Sequence, residues 1–329
     1  MSIEVGRSRE EYRRLCAGTA DLPLFSQDWW LDAVAEKQWS AVIAKKNGVV
    51  VGTLPYLLLR KWGFTLITQP KLTQTLGPWI LETDRSYPKR LAYEKDVMGA
   101  LVKGLPRAAY YSQNWHSSRE NWLPFYWLGF TQSTRYTYRL DRANGQDALW
   151  KGMQENIRRE IRKAENRFQI SVRRIDLETF LRLNQMTFDR QKKQVPYTNQ
   201  LVRRIHRAAS ERNASDCLMA YDTDDRPHAG VYVVRDADTA YYLLGGSDPS
   251  LRTSGAVSLA LWWAICSQPE HIRYFDFEGS MIEPIERFFR AFGAVQVPYF
   301  SVSKVDSRAL RLALCLRRFT KGSFNRERA

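Results

Sequence analysis

Four cysteines and four histidines in 329 residues are few, and their spacing argues against a metal centre. Cys16, Cys217, Cys266 and Cys315 form no CxxC pair, and His116, His206, His228 and His271 are equally scattered, so no metal is expected. Cys266 falls in the apolar segment LWWAIC, where a small buried hydrophobe is the better reading than a nucleophile. A Walker A loop, a GxSxG elbow and an HExxH pair are also missing, and chemistry without metal or covalent intermediate is the expectation. No apolar run approaches the ~20 residues needed to cross a bilayer. The start, MSIEVGRSREEYRRL, lacks the basic, apolar and small-residue parts of a signal peptide, and its acidic residues oppose a transit peptide. A soluble, cytoplasmic protein is expected.

What is present is bulk and positive charge. Apolar residues make up 44% of the chain and aromatics 13%, enough for two separate cores, and two domains of roughly 150 residues are the default at this length. Fifty Lys and Arg against 35 Asp and Glu leave a net charge of +15. Self-repulsion of that size suggests an anionic partner such as a nucleotide, tRNA or an anionic lipid surface. Residues 147–167 and 308–328 carry the charge most densely.

A pattern recurs along the chain. The strand WSAVIAKK turns at Asn47-Gly48 and continues as VVVGTLPYLLLRK; later DCLMAYD turns through TDDRP into HAGVYVV, then through DADT into AYYLLGG. Ala44 and Ala220 precede the turns, and Gly52 and Gly230 follow them at comparable places. KLTQTLGPWIL and AAYYSQNWH occupy the positions where the second copy has YYLLGGSD and IRYFDFEGS. A duplicated α/β domain with mixed, mostly antiparallel sheets flanked by helices is therefore expected. The junction falls in DRANGQDAL, giving domains at 1–142 and 143–329.

Three features of the second half point to chemistry. From Leu149 to Phe168, apolar residues at three- and four-residue spacing predict one amphipathic helix. Its polar faces carry Arg158, Arg162 and Lys163, which either pair with Glu155 and Glu160 or bind phosphates at the domain junction. In RTSGAVSLALWWAI, Arg252, Ser254 and Gly255 lead into an apolar helix, which suits phosphate binding at exposed amides or plain capping by Ser254. In HIRYFDFEGS, two-residue alternation puts Asp276, Glu278 and Ser280 on one face and Phe275, Phe277 and Gly279 on the other. Two carboxylates on such a strand either pair with Arg273 or Arg290, or act on an incoming amine.

At these residues the chain resembles the GCN5-related N-acetyltransferase (GNAT) superfamily, in the tandem-domain branch that holds the FemABX peptidoglycan aminoacyltransferases. NIRREIRKAENRFQISV is similar to that branch's basic helix, YYLLGGSDPSLRTSGAVSLALWWAI to its strand, turn and helix, FDFEGS to its aspartate strand and FFRAFGA to its terminal signature. The resemblance implies two tandem GNAT-like domains and transfer of an acyl or aminoacyl group from an activated donor to an amine. It adds Tyr242 and Phe289 to the substrate-binding set and makes Asp276, Glu278 and Arg290 the catalytic candidates. The donor is aminoacyl-tRNA or acyl-CoA, with no covalently bound cofactor, and the acceptor an anionic nucleotide- or lipid-linked precursor of the cell envelope. Two departures stand out: Val257 replaces the last small residue of the CoA loop, and Arg290 replaces the lysine after Phe289, keeping the charge without a base. Alternatives are an acyl-CoA-dependent acetyltransferase, and a non-catalytic scaffold that binds RNA or the inner membrane surface through its basic helix and the tail LRLALCLRRFTKGSF.

Overall fold

In a computed structural model, residues 2–19, 22–190, 192 and 194–313 are described. They divide into two compact units, the described residues up to 134 together with 299–313, and those of 135–298. The boundary differs from the expected 142/143. It falls inside one long strand, Thr131–Asp141, because the polar DRANG stretch is only the turn that follows this strand. The second domain also stops short of the end, since the strand Val295–Val305 leaves it at Pro298 and pairs beyond with residues 110–114 of the first unit. Most of the basic tail, including Cys315, lies outside the described residues.

The first unit contains strand β1 (Glu4–Arg7), helices α1 (Arg9–Gly18) and α2 (Asp28–Ala35), strands β2 (Trp39–Lys46), β3 (Val49–Lys61), β4 (Phe64–Thr68) and β5 (Trp79–Ile80), helix α3 (Tyr87–Gly104), strand β6 (Tyr110–Asn114) and helix α4 (Leu123–Trp127). Strands β1 to β4 run antiparallel in order; β6 joins β4 in parallel, with Leu66 opposite Tyr110. Asn47 and Gly48 both take positive φ, as that turn requires. The next turn, Trp62-Gly63, does the same. It makes FTLIT the third strand of the meander, where the sequence reading had looked to KLTQTLGPWIL. Trp115, Phe125, Val97 and Leu101 are among the side chains that fill the core.

The second unit takes β7 (Thr131–Asp141) from Arg135 onward, then α5 (Gly145–Gly152), α6 (Glu155–Asn166), β8 (Ser171–Arg174), α7 (Leu177–Arg190), α8 (Asn199–Ser210), β9 (Ser215–Tyr221), β10 (Pro227–Arg235), β11 (Thr239–Ser247), α9 (Ala256–Cys266), β12 (Tyr274–Asp276), α10 (Glu283–Arg290) and the start of β13 (Val295–Val305). Its sheet runs β7-β12-β11-β10-β9-β8, with β11 and β12 parallel and the other pairs antiparallel. The expected mixed α/β architecture is therefore present. In both units the glycine of the return strand makes room for a helix: a Cβ at Gly52 would strike Val97, and one at Gly230 would press on Phe180. The basic helix is not continuous. Met153 and Gln154 are extended, and the Gln154 amide donates to Ala291 O at 2.9 Å, so the stripe is split between α5 and α6.

Candidate functional site

The second unit's sheet opens at one place. Strands β11 and β12 pair only through Tyr241 and Asp276, whereas β11 stays paired with β10 through Ser247. Opposite Tyr232 and Val233, β11 presents Leu244 and Tyr242, so Leu243 is an extra, bulged residue just past the last β12 pair. Because the two strands are parallel, the loops following both emerge at the same end, where ligands characteristically enter an open sheet of this kind. From α7, Asn184 Nδ2 donates to Gly245 O at 2.7 Å, and Thr187 Oγ1 both donates to Ser247 O and accepts from Ser247 N. Tyr197 in turn donates to Asn184 at 3.0 Å. These side chains stand in for the ladder partner that β11 loses, and neither Asn184 nor Tyr197 had any sequence signal beyond position near a helix.

Asp276 ends β12 and is buried. One oxygen accepts from the Thr137 hydroxyl and from Glu278 N, the other from Arg139 at 3.3 Å. Burial raises its pKa, opposed by the Arg139 charge. The expected partners are elsewhere: Arg273 pairs with Asp141, and Arg290 with Glu286 at 2.8 Å. Asp276 thus braces β7 against β12, with its oxygens committed to protein donors.

The alternation expected across FDFEGS stops at Asp276, since Glu278 and Gly279 both have positive φ, 57° and 62°. Gly279 is required there, because a Cβ would collide with Tyr136 O and Thr137 Cα as the loop crosses β7. Glu278 has no such exemption: a left-handed conformation in a side-chain-bearing residue costs on the order of 1 kcal/mol and concentrates at functional positions. Its Oε1 is shut off from solvent, and burial, with the Asp276 charge adding, pushes its carboxyl well above the usual range. A carboxyl displaced in that direction keeps its proton to higher pH than a free one, and while protonated it donates where an ionised one accepts. Ser280 is half-buried and accepts from Ile282 N at 3.0 Å.

The turn after β11 is strongly self-bonded. Asp248 accepts from the amide and hydroxyl of Ser250, and Leu251 O accepts from Ser254 N at 3.2 Å. Gly255 has φ 82°, and a Cβ would collide with Glu160 O of α6. The side of Gly255 where a Cβ would stand is occupied by the neighbouring helix. Val257 packs against the core. Arg252 is exposed.

Ser254 is buried at 2% exposure and joins a polar chain that sequence reasoning missed. His228, an extra residue at a β10 bulge, places Nδ1 2.9 Å from Ser254 Oγ and Nε2 3.1 Å from Asp222 Oδ2. Burial opposes a charge on Asp222, but hydrogen bonds from Arg226 and His228 hold its carboxyl below the usual range. An ionised Asp222 can only accept, so Nε2 carries the hydrogen of that bond. Ser254 reaches the α9 amide of Ala256 only at 3.4 Å, so α9 opens with amides that its own turns do not satisfy.

The remaining candidates make contacts within the second unit. Arg158 binds Glu155 and the carbonyls of Trp150 and Lys151; Arg162 reaches Glu155 and lies over the Trp150 ring; Lys163 pairs with Glu160. Phe289 is buried, stacked on Phe277 at 5.0 Å and edge-on to Tyr242 at 6.0 Å. Burial pushes the Tyr242 phenol up, with Tyr197 nearby. Arg290 is half-exposed at the end of α10. Burial also pushes the Cys266 thiol up to about 12, as its apolar surroundings suggested.

Residues 151–288 match the model of the acetyltransferase (GNAT) domain family. No curated protein matches the chain. Among solved structures, FemX shares 13% identity at a TM-score of 0.65, covering 91% of this chain and 97% of its own. A tandem GNAT protein from the clavulanic acid biosynthesis pathway shares 12% at 0.54, covering 92% and 98%. L-PGS from Bacillus licheniformis shares 9% at 0.52, covering 95% and 96%. At these identities the likeness is one of fold.

Proposed function

We propose that this chain, whose residues 151–288 match the acetyltransferase (GNAT) domain family and whose fold is shared with FemX and a tandem GNAT protein, transfers an aminoacyl or acyl group to an amine with Glu278 as its proton carrier. The observation that carries this is the parting of β11 and β12 beyond Tyr241 and Asp276, with Glu278 at the same strand end in a left-handed conformation and its carboxyl pKa raised by burial. The donor's carbonyl carbon would take the amine nitrogen, forming the C–N bond. As the C–O or C–S bond breaks, Glu278 gives its proton to the departing oxygen or sulfur, and the proton shed by the amine returns to Glu278. A backbone amide at the Leu243 bulge, beyond the last β12 pair, would stabilise negative charge on the carbonyl oxygen if it points into the opening.

An aminoacyl ester is favoured over acyl-CoA as donor. A pyrophosphate needs several free N–H groups, and the turn 248–255 spends the amides of Ser250, Leu251 and Ser254 on itself and holds the Asp248 carboxylate among them, which leaves the first amides of α9 as the backbone donors a pyrophosphate would have to use. Of the α6 candidates, Arg158 and Arg162 pair with Glu155 and Lys163 with Glu160. Arg252, exposed, is left as an anchor for an anionic donor or a nucleotide- or lipid-linked acceptor, and Arg290 would join it by releasing Glu286. Calorimetry tests this choice: acetyl-CoA at millimolar concentration gives no binding heat, while an aminoacyl-tRNA binds in a salt-sensitive manner. Tight acetyl-CoA binding would reverse the donor assignment.

A further inference from the structure

The two units repeat one arrangement of strands, and the repeat gives each part of the candidate site a counterpart. In both, an antiparallel hairpin, β3 with β4 or β10 with β11, is joined in parallel by a further strand, β6 or β12. The other edge of that strand pairs antiparallel with an eleven-residue strand, β13 or β7. Tyr110 lies opposite Val305 and Tyr274 opposite Asp141, each the last residue of the long strand. Counting on by the same number of residues from each tyrosine gives Asn114 in the first unit and Glu278 in the second. The first sheet parts as the second does: β4 meets β6 only through Leu66 with Tyr110 and Ile67 with Tyr111, and stays paired with β3 through Thr68.

The first opening is filled by the chain itself. Past β4 the segment 69–77 runs on along β6: Leu76 forms a parallel bridge with Trp115, its amide donating to Asn114 O at 2.7 Å and its carbonyl accepting from His116 N at 3.3 Å. The Gln69 carboxamide accepts from Asn114 N at 2.6 Å and donates to the carbonyls of Thr73 and Gln74. Thr73, Thr75 and Leu76 are buried, Trp30 Nε1 donates to the Thr73 hydroxyl at 3.1 Å, and a Cβ on Gly77, at φ 91°, would collide with the Trp115 indole. A ligand entering here would have to replace every one of these partners and expel buried side chains into water. Among the described residues no such segment enters the second opening, where β11 is met by the side chains of Asn184 and Thr187. The residue in Glu278's place also differs in kind. A carboxamide carries no exchangeable acid proton, and Asn114 spends Nδ2 on Gln74 O at 3.1 Å. We propose that the first unit is a closed copy of the transfer site, its opening permanently occupied by residues 69–77, so that each chain carries one transfer site, in the second unit. The closure stands on the first unit's geometry, and what the second unit does rests on the acyl-transfer reading above.

Amide hydrogen exchange of the full chain tests closure without reference to activity. The amides of Leu76, Asn114 and His116 are expected to exchange on the order of 1,000-fold or more slower than those of an open chain, as buried ladder amides do. Their protection should be unchanged when aminoacyl-tRNA or acetyl-CoA is added. Gln69→Ala removes the bonds to Asn114, Thr73 and Gln74, so exchange at Leu76 and Asn114 should speed up about ten-fold, with transfer per folded molecule unaltered. Three results would overturn the proposal: exchange of these amides at open-chain rates in the free protein, a change in their protection on adding either donor, or altered transfer per folded molecule in Gln69→Ala. Failure of the acyl-transfer reading is seen separately, as full activity of Glu278→Gln or transfer from no donor, and leaves the exchange result to decide the closure.

Discussion

Replacing Glu278 by Gln should move stability and activity in opposite directions. The side chain keeps its shape but can no longer ionise. In the folded protein, burial and the Asp276 charge raise the Glu278 pKa, while in the unfolded chain it titrates near the usual ~4.3. The stabilising share of a raised carboxyl is therefore complete below the unfolded value and is lost as pH rises through the folded one. Between the two values the folded state holds one proton more than the unfolded, so stability falls by up to about 1.4 kcal/mol per pH unit. The Gln variant lacks this slope. Urea unfolding of both proteins from pH 4.5 upward should show a difference that widens with pH in favour of Glu278→Gln, while acyl transfer is lost. Parallel stability curves would refute the buried-carboxyl account. Full activity in the variant would remove Glu278 from the mechanism.

Other substitutions test neighbouring parts of the site. Gly255→Ala forces a Cβ onto the Glu160 carbonyl at a φ of 82° and should destabilise by about 2 kcal/mol or more; a neutral effect in thermal unfolding would mean the turn can withdraw from α6. His228→Leu leaves Asp222 and Ser254 without their shared partner and should cost about 1–3 kcal/mol. The cost should shrink when Ser254→Ala is added, as a double-mutant cycle in urea would show. Arg158→Gln breaks a pair with an exposed Glu155 and should change stability by less than about 1 kcal/mol without affecting transfer; a large loss of transfer would restore α6 to the donor site. Arg290→Ala should reduce transfer sharply at unchanged melting temperature, and unaltered turnover would exclude it.

The tandem α/β plan was legible because strands and turns write local signals: Asn47-Gly48, the alternating runs around it and the repeated glycines each report on a few residues. What the sequence hid was set by contacts distant along the chain. Nothing local says that Glu278 takes a positive φ; the loop does so because it crosses β7, and only Gly279 hints at the tight passage. His228 and Ser254 are 26 residues apart and meet through a bulge that no residue type announces. The reading of α6 as a phosphate-binding helix counted its cations correctly but could not see that Arg158 turns back to the carbonyls of α5. Phe289, taken as a substrate contact from the resemblance, is core, because α10 places it on Phe277.

The most direct test of the central claim is a transfer assay that follows the mass of an amine acceptor, such as a nucleotide-linked cell-envelope precursor, with aminoacyl-tRNA or acetyl-CoA as donor. The account predicts acceptor gaining one aminoacyl group with the wild type and none with Glu278→Gln. Transfer from acetyl-CoA alone, undiminished in Glu278→Gln, would contradict it.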